Sequence, residues 1–218
     1  MLPPTPSAIP PDLLWPWLVV IGFGAFHGIN PGMGWLFALS LGLQKKSARA
    51  VWLSLLPIAA GHALSVGLVA LLILAGIQLV STTVLQLVTA DLLLVFGLYK
   101  LVNYYRHPRW VGMKVNLRDL FWWSFLMATA HGAGLMVAPA FMEFGHRSPH
   151  AHHMQPGIGL FLAVVAHTLA MLLVMGSVAW IVYRRFSLAI LRRNWINFDL
   201  IWAAALLIVG VIALITAF

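Results

Sequence analysis

The chain has 218 residues, of which 62% are hydrophobic and only 8% charged, whereas an ordinary soluble domain is about one quarter charged. That composition excludes a soluble globular protein. The 13 Lys and Arg outnumber the 5 Asp and Glu, but they lie in short segments between apolar runs, so they report membrane topology and no nucleic-acid partner is expected.

In chain order, the stretch Met1 to Pro11 is proline-rich, lacks a basic start and does not read as a cleaved signal peptide. Six apolar runs follow, each reaching or exceeding the roughly 20 residues that a helix needs to cross a bilayer. They are Leu13–Gln44, Val51–Ile77, Val80–Val102, Leu117–Phe144, Gly157–Tyr183 and Phe198–Phe218. No stretch between them is long enough for a soluble domain, so the expectation is an all-α membrane protein whose residues 1–218 form one polytopic domain.

At 1.5 Å per residue, the run Leu13–Gln44 is roughly 48 Å long and exceeds a ~30 Å hydrocarbon core. It must tilt, kink or break. The segment Gly28-Ile29-Asn30-Pro31-Gly32-Met33-Gly34 is the expected break, because Pro31 lacks a backbone donor and the glycines tolerate unusual dihedrals. Asn30, Pro31, Gly32 and Met33 are therefore candidates for a hinge or for the wall of a transport path. A break at membrane depth frees backbone carbonyls and amides for a small polar guest. The alternative is a glycine-rich crossing that only lets helices pack closely.

Twelve of the 13 basic residues fall after the first, third and fifth runs, and only Arg147 falls elsewhere. The positive-inside rule then places both termini and the loop after the fourth run outside the cytoplasm, with a bacterial cytoplasmic membrane as the setting.

The two halves of the chain, 13–102 and 117–218, match in order. His27-Gly28 corresponds to His131-Gly132 at an offset of 104, the His62-Ala63-Leu64 segment to His167-Thr168-Leu169 at 105, and Asp91 to Asp199 at 108. Three spans per copy is odd, so the copies enter the membrane in opposite directions, as inverted-topology repeats do. Chance alignment of a low-complexity apolar sequence is the competing explanation.

Ionisable side chains inside a membrane helix cost roughly 2.5 to 3.5 kcal/mol each on insertion scales and usually face the bundle interior and a partner. His27, His62, His131, His167 and Asp91 all fall near the middle of their runs. A shared central metal site accounts for them together: neutral imidazole is the commonest protein metal ligand, and a carboxylate completes a set suited to a divalent first-row ion. The same groups could relay protons. Taken one at a time, each histidine is as well explained by an interhelical hydrogen bond to a carbonyl or to Ser65, Thr129 or Thr168. With no cysteine, thiolate sites and thiol redox chemistry are excluded.

The segment His27-Gly28-Ile29-Asn30-Pro31-Gly32-Met33-Gly34, followed by Gly61-His62-Ala63-Leu64-Ser65, resembles the paired motifs of nickel/cobalt efflux (NicO-like) membrane proteins. More distantly it is similar to the LysE-type exporter superfamily. The resemblance covers about the first 70 residues well, and beyond them only the span count and repeat agree. It implies a divergent six-span exporter of a divalent metal cation. Those efflux proteins have a second histidine where this chain has Met33, and that leaves nickel, cobalt, zinc, iron and copper all open as cargo.

His146, His150, His152 and His153 lie within eight positions of the loop after the fourth run and read as a peripheral, weakly selective metal-capturing segment, or as a plain solvated connection. Trp15, Trp17, Trp110, Trp122, Trp123 and Trp195 read as an interfacial belt, and the methionines as packing. Taken together, these features lead to the expectation of a transporter rather than an enzyme, exporting a divalent transition-metal cation, with lipid as its medium and a homo-oligomer or a partner membrane subunit compatible with the sequence. A membrane-embedded His/Asp metalloenzyme and a haem protein with paired histidine ligands remain the alternatives.

Overall fold

The computed structural model describes residues 11–103, 116–145, 156–185 and 198–218, and among them every regular element is helical. In chain order these are α1 (Pro11–Ile29), a 3-10 turn (Pro31–Met33), α2 (Trp35–Gln44), α3 (Ala48–Leu79), α4 (Thr82–Val102), α5 (Leu117–Ala130), α6 (Ala133–Gly145), α7 (Pro156–Arg185) and α8 (Phe198–Ile215).

The helices α3, α4 and α7 are long and apolar enough to cross a membrane singly. The pair α5 and α6, bent by 68° at its junction, adds a fourth candidate span, and α1, α2 and α8 are shorter apolar helices. The chain is an integral membrane protein.

Two interruptions shape the interior. After Ile29 the backbone leaves the α-helix, Asn30 caps the Pro31–Met33 turn by accepting a hydrogen bond from the Gly32 amide at 2.9 Å, and the chain resumes at Trp35. Gly34, with φ at +127°, sits where an L side chain would be strained, so the restart of the helix depends on glycine there. The second interruption falls at His131 and Gly132, the latter at φ +65°, between α5 and α6. Pro139 lies inside the continuous α6.

The most extensive packing is of α1 on α7, α3 on α5 and α4 on α8. Glycines set the first two distances. A Cβ on Gly24 would come within 2.3 Å of the His167 carbonyl oxygen, and one on Gly28 within 2.5 Å of the Met171 carbonyl oxygen, so α1 and α7 pack backbone to backbone. Gly61 does the same for α3 against α5, where a Cβ would meet the Phe121 carbonyl oxygen at 2.2 Å. Both contacts lie beside histidines.

Candidate functional site

The close α1–α7 approach brings His27 next to His167, and α3 supplies His62. All three side chains are 0% exposed. Their ring centroids form a triangle with sides of 5.0 Å (His27 to His167), 5.4 Å (His27 to His62) and 5.4 Å (His62 to His167). His131, at the α5–α6 break, is buried as well. The indole of Trp202 on α8 lies against both His27, at 4.6 Å, and His131, at 5.3 Å, and stacks on Phe26.

Hydrogen bonding fixes which nitrogens carry protons. Carbonyl oxygens only accept, so each ring nitrogen bonded to one must be a donor. His27 Nδ1 therefore donates to the Phe23 carbonyl, His131 Nδ1 to Met127 at 2.8 Å and His167 Nδ1 to Val20 at 3.0 Å. In a neutral His167 ring, Nε2 is then the acceptor. It faces His62 Nε2 at 3.2 Å, which makes His62 Nε2 the donor. Two nitrogens remain without a partner, His27 Nε2 and His62 Nδ1, both bare lone pairs in this tautomer assignment and both buried.

The His62 and His167 rings lie within 10° of parallel, and their centroid gap exceeds the nitrogen gap by a ring radius at each end. The rings therefore meet end to end, lone pair against N–H, as a proton-sharing pair does. A metal ion on that line would sit about 1.6 Å from each nitrogen, shorter than the 2.0–2.1 Å of a zinc–imidazole bond. Consistent with this, no group of three or more His, Asp or Glu side chains among the described residues is arranged to hold a metal ion. The bare His27 Nε2 and His62 Nδ1 are the atoms through which a cation could enter.

Asp91 does not join the imidazoles. The expectation of a carboxylate in the central set fails because α4 turns its Thr89, Ala90, Leu93 and Gly97 face inward toward the bundle and leaves Asp91 exposed on the outer face. Asp199 belongs to the first turn of α8, and its side chain lies outside the described positions, as do His146, His150, His152 and His153. The hinge candidates are engaged locally: Asn30 caps the turn, and Met33, 1% exposed, packs in the core cluster that includes Leu55, Ile58 and Met171. Neither Ser65, Thr129 nor Thr168 serves a histidine. Ser65 and Thr129 bond each other at 2.9 Å, and Thr168 bonds Val164 one turn back.

Three tryptophans have roles that the sequence does not announce. The Nε1–H groups of Trp35, Trp123 and Trp202 donate to the carbonyls of Ile29, Gly32 and His131, which are the carbonyls freed at the two helix breaks. Trp123 is thus half-buried and bonded to the break rather than part of an interfacial belt. A signal for Trp202 was present: it lies near the start of the sixth apolar run, one turn after Asp199 in the repeat.

No protein family, curated protein or solved structure matches this chain.

Proposed function

We propose that this chain is a membrane transporter, acting as an exporter, of a divalent transition-metal cation that passes through the buried histidine cluster. The observation that carries the reading is the triangle of fully buried imidazoles on α1, α3 and α7 with two unpartnered nitrogens, His27 Nε2 and His62 Nδ1. Buried polar groups without partners are costly, and a cation supplies what these two lack. Asp91 has no place in that ligand set, so the passing ion would be held by imidazole alone, with His131 as the next group along, past Trp202.

In this reading, each half of the chain is an inverted three-span repeat with its first span broken, the six apolar runs all cross the bilayer of a bacterial cytoplasmic membrane, and both termini lie outside. The packing pattern supports the repeat: exchanging the halves converts the α1–α7 contact into the α5–α3 contact and returns the α4–α8 and α3–α7 contacts to themselves. The end-to-end His62–His167 pair favours protons as the counter-moving species.

The test is flux of manganese, iron, cobalt, nickel, copper and zinc ions in proteoliposomes, with wild type beside His27→Ala/His62→Ala. Movement of at least one ion by wild type and its loss in an inserted, monodisperse double variant is the expected result. A double variant as active as wild type, or a wild type that moves no ion, would defeat the reading.

A further inference from the structure

Asp91 is the tenth of the 21 residues of α4, at the centre of a helix of membrane-spanning length, and its side chain is exposed. It stands in a row. Val84, Val88, Asp91, Val95, Leu98 and Val102 are all exposed and follow one another at spacings of 4, 3, 4, 3 and 4, the seam of a helix that packs along its length against another. Of the three single candidate spans, α4 is also the least covered by the rest of the chain, with 22% of its apolar window buried against 39% for each of the others.

Lipid covers valine and leucine without difficulty, so the apolar part of this row calls for nothing more. A carboxylate at mid-span does. Hydrocarbon offers it neither a hydrogen-bond donor nor a counter-charge, and such groups occur in membranes where a partner is supplied. A polar residue in an otherwise apolar seam is also the usual device for choosing a partner and fixing its register.

A second copy of this chain does not meet the requirement. Two-fold pairing through this row would set Asp91 against Asp91, and the described cations Lys45, Lys46, Arg49, Lys100, Arg118 and Arg184 all lie at helix ends or turns. Lys100 is nine residues from Asp91, roughly 13 Å along the axis. The four mid-span histidines are buried and face inward. No described side chain of another copy brings a cation to this depth.

We infer that the outer face of α4 is the docking surface for a membrane-spanning helix of a different polypeptide that carries a Lys or Arg at the bilayer midplane, paired with Asp91. This inference is independent of the cargo, and it stands if no metal ion is moved.

The probe is a set of three acceptor-labelled synthetic transmembrane helices of Leu and Val that differ only at the central residue, which is Lys, Leu or Asp. The full chain, free of native cysteine, takes a donor dye through Phe218→Cys at an exposed terminus, and energy transfer is measured in lipid bilayers. The expected result is at least tenfold tighter association of the Lys helix than of the Leu helix, a difference of about 1.4 kcal/mol. Asp91→Asn should abolish that preference, and Asp91→Lys should transfer it to the Asp helix. Equal binding of the Lys and Leu helices to wild type, or a Lys preference that survives Asp91→Asn, overturns the inference. So does energy transfer between donor- and acceptor-labelled copies of wild type that disappears in Asp91→Asn, since that result would make the occupant a second copy. Asp91→Asn removes a charge from the span and inserts more readily than wild type, so the comparison does not depend on the bolder Lys variant folding.

Discussion

The glycines that bring the histidine helices together yield a prediction in which one substitution has opposite signs at two places on the same helix. In α3, a Cβ on Gly61 would lie 2.2 Å from the Phe121 carbonyl oxygen and 3.0 Å from the Phe125 nitrogen, both backbone atoms that no rotamer change can move. Carbon and oxygen in contact prefer about 3.3–3.6 Å, so Gly61→Ala forces α3 and α5 apart by roughly 1 Å. Overpacking of this kind costs about 1–3 kcal/mol, against which the better helix propensity of alanine returns about 0.5–1 kcal/mol. A net loss near 1–2 kcal/mol corresponds to a fall in melting temperature of roughly 2–8 °C for a chain of this size. Six residues further on, a Cβ at Gly67 meets nothing within 4 Å, so Gly67→Ala keeps only the propensity gain and should melt about 1–4 °C higher. The same contrast holds on α1 between Gly24, whose Cβ would strike the His167 carbonyl, and Gly22, which faces open space. Thermal melting of the four purified variants in detergent, followed by near-ultraviolet circular dichroism, measures the signs. If Gly61→Ala and Gly67→Ala shift in the same direction, the backbone contact at the histidines is not as tight as described and the argument fails.

His167→Ala should destabilise more than His62→Ala, although both leave the same cavity. Removing His167 strands the His62 Nε2–H, whereas removing His62 exchanges one unpartnered nitrogen, its own Nδ1, for another, His167 Nε2; the expected difference is about one unsatisfied group, 1–3 kcal/mol, and equal melting temperatures would show the tautomer assignment to be wrong. Trp202→Phe keeps a ring against Phe26 but deletes the donor to the His131 carbonyl, so a loss of about 1–3 kcal/mol is expected, and a variant that melts like wild type would show the bond to contribute nothing.

The first helix break and the interior histidines were legible for simple reasons. A run as long as Leu13–Gln44 cannot cross a bilayer straight, and Asn30-Pro31-Gly32 is the point at which a helix there is weakest. Burying four imidazoles is expensive enough that a sequence carrying them mid-span must house them, and all four are buried. Asp91 shows the limit of the same reasoning. A costly group at mid-span signals a partner, but periodicity cannot say whether that partner lies inside the bundle or beyond it. For α4 the choice is made by its packing on α8, which no local pattern encodes. The tautomers were equally hidden, because whether His167 reaches the Val20 carbonyl depends on how closely Gly24 lets α1 approach α7. Trp123 was misplaced because its position near the start of the fourth apolar run does not reveal that the Gly32 carbonyl lies opposite.

The three indole bonds also explain how a chain can break helices in an apolar interior and still leave only selected atoms bare. A broken helix leaves carbonyls that water would satisfy outside a membrane and that hydrocarbon cannot. Tryptophan suits the repair because it carries one donor and no acceptor on a large apolar body, so it can lie in the interior, give its single hydrogen bond and leave no further polar atom to satisfy. Trp35 and Trp123 serve the first break and Trp202 the second, while the Asn30 side chain takes up the exposed Gly32 amide. With those backbone groups engaged, the buried side-chain atoms left without a partner among the described residues are His27 Nε2 and His62 Nδ1, on rings whose centroids lie 5.4 Å apart. A fold that engages its break carbonyls in this way has donors available, so the bare nitrogens of His27 and His62 are the atoms at which the proposed cation would find its ligands.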